Sequence, residues 1–112
     1  MATHLVDHLG EEPGGDRFET AVETFKLLGD VTRLKILWAL LHSEHSVGEL
    51  AEHVGANAPA VSQQLARLRA ARLVHTRRDG NRIFYVAEDA HVRHLVEQAL
   101  SPSDHVTGRT SR

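Results

Sequence analysis

The sequence predicts a mainly α fold with one small β-hairpin, in the order α-α-α-α-β-β-α. Three observations predict it. Residues 46–69 hold two short helical segments separated by Val54-Gly55-Ala56-Asn57, the layout of a helix-turn-helix. Residues 73–86 form two runs rich in β-branched and aromatic residues on either side of Asp79-Gly80-Asn81, a hairpin signal. Apolar residues at helical spacing flank this unit on both sides, from Phe18 to Leu28 and from Val92 to Leu100. A hairpin that follows a helix-turn-helix is a wing, so the fold class is a winged helix-turn-helix.

Residues 1–15 contain Gly10, Pro13, Gly14 and Gly15 among charges and are expected to be a disordered tail. His4 and His8 fall there at i, i+4 spacing, which a floppy segment does not hold. Asp16-Arg17-Phe18-Glu19 reads as a capping box with Asp16 as N-cap. The first helix then places Phe18, Ala21, Val22, Phe25 and Leu28 on one stripe and ends at Gly29. Asp30 caps a second helix from Val31 to about His42. Leu34, Leu37, Trp38 and Leu41 form its stripe, and Ile36 and Leu40 are apolar off it. A helix apolar nearly all round is buried, so this is the central core element and Trp38 reads as a core anchor.

Ser46-Val47-Gly48-Glu49 is a second capping box and starts the third helix, whose Leu50, Ala51 and Val54 face inward. Gly55 ends it. Asn57 caps the fourth helix, with Pro59 in the first turn, where a missing N–H does no harm. Val61, Leu65 and Leu68 point to the core. Ser62, Gln63 and Arg67 do not, and Pro59, Ala60 and Gln64 lie near the entry edge. The wing strands are Leu73–Arg78 and Arg82–Val86, with Asp79-Gly80-Asn81 as the turn. The fifth helix opens at Glu88 or Asp89. Val92, Leu95, Val96, Ala99 and Leu100 keep helical spacing until Pro102 interrupts. That stripe either packs on the core or pairs with a twofold mate. The expected dimer face is Val22, Phe25, Leu95, Val96 and Ala99.

A chain of 112 residues is one domain, small enough that a dimer interface helps stability. No run of eighteen apolar residues is present, so no membrane span is expected, and the polar N-terminus makes a cytoplasmic protein the expectation. There is no cysteine, hence no disulfide and no thiolate metal site. Net charge is −2, but its distribution is uneven. Residues 1–62 hold ten acidic and four basic side chains, whereas residues 63–93 hold three acidic and seven basic ones, all arginine. Such a basic segment is either a solvated charged face or the footprint of a polyanion. In a helix-turn-helix the second helix lies in the major groove and the wing touches phosphates. The candidate DNA contacts are therefore Asn57, Pro59, Ala60, Ser62, Gln63, Gln64 and Arg67 on the fourth helix, with Arg77, Arg78 and Arg82 on the wing. No Gly-rich phosphate loop or nucleophile–base pairing stands out, so an enzyme is not expected.

The order of elements, together with Leu27-Leu-Gly-Asp-Val-Thr-Arg-Leu-Lys-Ile-Leu37, Ser46-Val-Gly-Glu-Leu-Ala51, Val61-Ser-Gln-Gln-Leu-Ala-Arg-Leu68, Arg72-Leu-Val74 and Arg78-Asp-Gly-Asn-Arg-Ile-Phe-Tyr85, resembles the ArsR/SmtB family of winged-helix metalloregulators. The resemblance covers residues 16–105 and leaves 106–112 as a disordered tail. It implies a homodimer on a double-stranded DNA operator, remodelled or released when metal binds, with no small-molecule substrate. The family's thiolate site would need cysteines near Val47 to Leu50, where there are none. Its other site, on paired fifth helices, is matched in its first half by Asp89 and His91. The second half would fall on Pro102 and His105. A variant resembling some actinobacterial nickel/cobalt sensors is matched by His91, Asp104 and His105. The implied ligands are thus Asp89 and His91 of one subunit with Asp104 and His105 of the other. They suit nickel or cobalt, then zinc, and the metal is not needed for folding. Alternatives stay open: these histidines as plain surface residues, a regulator of the same family that senses no metal, or a winged helix used as a protein-interaction module. His42, His45, His53 and His75 show no carboxylate grouping, and His94 faces away from the apolar stripe.

Overall fold

A computed structural model of the chain describes residues 13–88 and 90–102, and the side chains of all of these except Ala90 and His91. Residues 1–12 and 106–112 of the expected tails lie outside the described residues, as do Asp89, Asp104 and His105. The elements are α1 (Arg17–Leu28), α2 (Val31–His42), α3 (Val47–Val54), α4 (Ala58–Ala70), β1 (Val74–Asp79), β2 (Arg82–Ala87) and α5 (Ala90–Leu100). The expected order is therefore found.

The first element corrects one expectation. Asp16 makes no side-chain cap bond, and its backbone (φ −99°, ψ 21°) is not extended. An N-cap oxygen reaches the N2 or N3 amide only from an extended residue. A turn in which the Arg17 N–H donates to Gly14 O at 3.3 Å leads into α1 instead. No residue of α1 is buried, and Phe18, Val22 and Phe25 are exposed.

The central helix is α2. Asp30 is extended and accepts from the Arg33 N–H at 3.0 Å, closing the first turn. Ile36, Leu37, Ala39, Leu40 and Leu41 are buried. Trp38 is not a core anchor: it is 41 % exposed. At about 100° per residue, Trp38 lies on the side opposite the middle of that buried arc. It stacks outside the core against His42 (ring centroids 4.2 Å apart) and His53 (6.1 Å).

The start of α3 carries the full capping box, with the Glu49 N–H donating to Ser46 Oγ at 3.2 Å and the Ser46 N–H to Glu49 Oε1 at 3.0 Å. Gly55 closes α3 at φ +72°, a left-handed position open to glycine. One core joins α2, α3, α4, β1 and α5. Ile36, Leu37, Leu50, Val61, Leu65, Leu68, Val74 and Val96 have essentially no exposed surface. Each such burial stabilises by about 1.5–3 kcal/mol.

The hairpin pairs Val74 with Ala87 through Asp79 with Arg82. Asp79 is thus the last strand residue, and the expected three-residue turn is a two-residue loop, Gly80-Asn81. Gly80 has φ +63° and Asn81 does not share the positive φ, the pattern of a II′ loop that suits the strand twist. An isolated backbone bridge onto the hairpin was not expected. His45 pairs with Tyr85 through two backbone bonds of 3.2 and 2.8 Å, so the α2–α3 connection borders β2.

In α5, Val92 and Val96 are buried against the subunit's own core, and Arg93 donates to Leu41 O at 2.7 Å. Val96 therefore leaves the expected dimer face. The residue spacing was read correctly, but an intramolecular stripe and an intermolecular one have the same period. Leu95 is half-buried and Ala99 exposed. No helix among the described residues is long and apolar enough to cross a membrane.

Candidate nucleic-acid interface

The geometry of α4 follows from its two ends and its buried stripe. Asn57 is extended and its Oδ1 accepts from the Ala60 N–H at 2.8 Å. Pro59 occupies the first turn at no loss of a helical bond. Val61, Leu65 and Leu68 lock one face into the core. The opposite face is thereby turned outward: Asn57, Pro59, Ser62, Gln63 and Arg67 are exposed. Ala60 and Gln64 are half-buried at its margin. The helix closes at Arg72, which takes φ +63°. The Arg72 N–H donates to Arg69 O and the Leu73 N–H to Leu68 O, both at 2.9 Å, the bond pair of a Schellman corner. This corner turns the chain straight into β1.

Strand alternation divides the wing arginines. Arg77 pairs with Phe84 and Arg82 with Asp79, so these two arginines and Phe84 share one face. The guanidinium carbons of Arg77 and Arg82 sit 5.1 and 4.8 Å from the Phe84 ring centre. Each is also held by a carboxylate from the α2–α3 connection or α3. Arg77 donates from Nε to Glu44 Oε1 at 2.8 Å, with Nη2 at 2.6 Å, and Arg82 lies 3.6 Å from Glu49. The bond to Glu44 raises the Arg77 guanidinium pKa further. The Ser46 backbone N–H, and then Arg82 and His45, hold the Glu49 carboxyl below its ordinary value against a smaller opposing effect of burial. Arg78 pairs across from Ile83 on the other face. Its side chain makes no ion pair or hydrogen bond among the described residues, unlike those of Arg77 and Arg82.

Three residues shape this surface in ways the sequence did not show, although Glu49 was read as part of a capping box. Arg33, on α2, donates from Nη1 to Gln64 Oε1 at 2.7 Å and from Nε to Leu27 O at 2.8 Å. In the sequence it stood out only as a charge on a mostly apolar helix, shared with Lys35, and as part of the family-like run Leu27–Leu37. Glu44 and Glu49 hold the wing arginines, and nothing in their spacing from Arg77 and Arg82 announces that. Two histidines also have unforeseen carboxylate neighbours: His75 is 3.1 Å from Glu88, and His45 is 3.6 Å from Glu49. His94 is exposed, as expected.

For the expected metal site, His91 lies in the first turn of α5, but Asp89, Asp104, His105 and the His91 side chain are outside the described residues. So are His4 and His8. Among the described residues no three His, Asp or Glu side chains come together closely enough to hold a metal ion. The donor types that the chain possesses, imidazole and carboxylate without thiolate, fit a borderline divalent ion.

Residues 30–76 match the model of the bacterial regulatory protein arsR family. The chain is 54% identical over 90 residues to the HTH-type transcriptional regulator KmtR of Mycobacterium tuberculosis, covering 80% of this chain and 69% of that protein. The structure superposes on crystalline NolR from Sinorhizobium fredii with a TM-score of 0.71 at 31% identity, over 82% of this chain and 99% of that one. It also matches the homodimeric winged helix-turn-helix DNA-binding domain of Mb0332 from Mycobacterium bovis, with a TM-score of 0.68 at 28% identity, over 79% and 85% of the two chains.

Proposed function

The chain belongs to the bacterial arsR family of transcriptional regulators, a family of DNA-binding proteins and not of enzymes, and from that premise we propose that it is a cytoplasmic, metal-responsive member acting as a homodimer on a palindromic operator. One observation carries the DNA part. The buried stripe of α4 turns Ser62, Gln63 and Arg67 outward on the helix that the fold presents to the major groove. Asn57 and Pro59 would follow the backbone at its start, and Arg78 would neutralise a phosphate beside it. The exposed Phe18, Val22 and Phe25, with Ala99 and part of Leu95, supply an apolar surface for the twofold partner. A homodimeric relative supports that pairing.

The metal part rests on the resemblance and on donor chemistry. Asp89 and His91 of one subunit with Asp104 and His105 of the partner would hold nickel or cobalt, with zinc next in order. Bound metal shifts the dimer by no more than its difference in affinity for the two states. Imidazole ligands must be neutral, so binding weakens below about pH 6. A second reading is a regulator of this family that senses no metal. Gel shifts with the DNA upstream of its own gene, alone and with nickel, cobalt or zinc, test both. Specific binding that changes with metal supports the first reading, and specific binding indifferent to all three supports the second. No preference for that DNA over random DNA would refute both.

A further inference from the structure

The fork from Arg33 to Gln64 bears on which bases α4 can read. Arg33 is half-buried, and three bonds hold it in place. Its backbone N–H is capped by Asp30 at 3.0 Å, its Nε donates to Leu27 O at 2.8 Å, and its Nη1 donates to Gln64 Oε1 at 2.7 Å. A free glutamine can flip its carboxamide and present oxygen or NH2 with similar ease. Beside a guanidinium it cannot, because a guanidinium only donates. Oxygen must face Arg33, and the NH2 must face the other way. A glutamine that reads adenine uses its oxygen for N6–H and its NH2 for N7 together. With the oxygen turned to meet Arg33, the NH2 end is the one turned away, towards a base edge. Two N–H donors match the two adjacent acceptors of guanine, O6 and N7.

We propose that Arg33 is a positioning residue for base readout: it sets Gln64 as a donor, and thereby selects guanine over adenine at the base pair Gln64 faces. This rests on the reading that α4 enters the major groove. Leu27 lies at the end of α1, so the aim of Gln64 is referenced to that helix as well as to α4.

The test measures affinities of the whole protein for its operator and for a set of duplexes carrying each single base-pair change in a half-site. Wild type, Gln64→Ala, Arg33→Met and the double variant are compared, with thermal unfolding of each as a control. In the wild type one position should favour guanine over adenine by roughly tenfold, within the range of one base-specific bond pair. Gln64→Ala should flatten the preference there and nowhere else. Arg33→Met should relax the same position, and the double variant should lose no more than Gln64→Ala alone. If Arg33→Met does not fold, Arg33→Lys carries the comparison, since it keeps one donor but cannot span Leu27 O and Gln64 Oε1 together. Adenine preferred at the Gln64-dependent position would overturn the proposal. So would an Arg33 variant that weakens all sequences by one factor, or whose effect adds to that of Gln64→Ala. A wild type that shows no operator preference at all would refute the reading of α4 itself, a result distinct from these.

Discussion

Arg72 closes α4 at φ +63°, a region where a side chain costs roughly 1–2 kcal/mol and glycine does not. Arg72→Gly should therefore raise stability, by about 1 kcal/mol after glycine's own entropy loss. For a chain of this size that is a few degrees in thermal midpoint. A midpoint that stayed level or fell would mean that the arginine side chain holds the corner. Gln63 sits one residue from Gln64 but is exposed. No contact among the described residues holds its amide, so it can use oxygen and NH2 together on adenine. Gln63→Ala should lower the preference for operator over random DNA by about 1–3 kcal/mol. Equal loss on both DNAs would make Gln63 a backbone contact.

At the scale of the element, the wing holds three arginines of unequal availability. Arg77 and Arg82 are engaged by Glu44 and Glu49, whereas Arg78 has no such partner among the described residues. A phosphate must displace a carboxylate to use the first two. Arg78→Ala should reduce the slope of log affinity against log salt by about 0.9 per subunit, and Arg77→Ala by clearly less. Matching slopes for the two variants would show that DNA removes Arg77 from Glu44. The capping box of α3 has its own pH signature. Its Glu49 is held below the ordinary carboxylate range, chiefly by the Ser46 N–H. A depressed carboxyl contributes stability that is complete above its unfolded pKa, about 4.3, and is lost as pH falls through the folded value. Protection of the amides at the first turn of α3, measured against their intrinsic exchange rates, should fall on acidification through that interval, and in Glu49→Gln it should stay level.

For the whole molecule, the exposed face of α1 is the surface proposed for the twofold partner. Phe25 is 60 % exposed, and Phe18 and Val22 flank it. Phe25→Glu should leave the subunit folded, since that ring is not in the core, yet bury an unpaired charge in the dimer at several kcal/mol. Sedimentation should then report monomer and operator binding should fail. A tight dimer of this variant would move the interface elsewhere. Nickel titration of wild type, His91→Ala and His105→Ala should show both substitutions weakening binding. Three equal affinities would remove the paired-helix site and leave His4 and His8 as the candidates.

The order of the elements, the caps at Asp30, Ser46 and Asn57, and the core stripe of α4 were legible in sequence because each depends on residues within one helical turn. The family was legible for the same reason, since its motifs are runs of adjacent residues. Asp16 looked like a cap, but its backbone conformation is set by the Gly14–Arg17 turn in which it sits. Periodicity identified the apolar residues of α2 and α5 without saying what each would meet. Trp38 went outward and Val96 inward because the sides that α3, α4 and the hairpin cover are decided by packing. Arg33 with Gln64 and Arg77 with Glu44 join positions about thirty residues apart. One-dimensional spacing carries no signal for such pairs, whose partners are chosen by the direction in which a folded helix or strand aims its side chains.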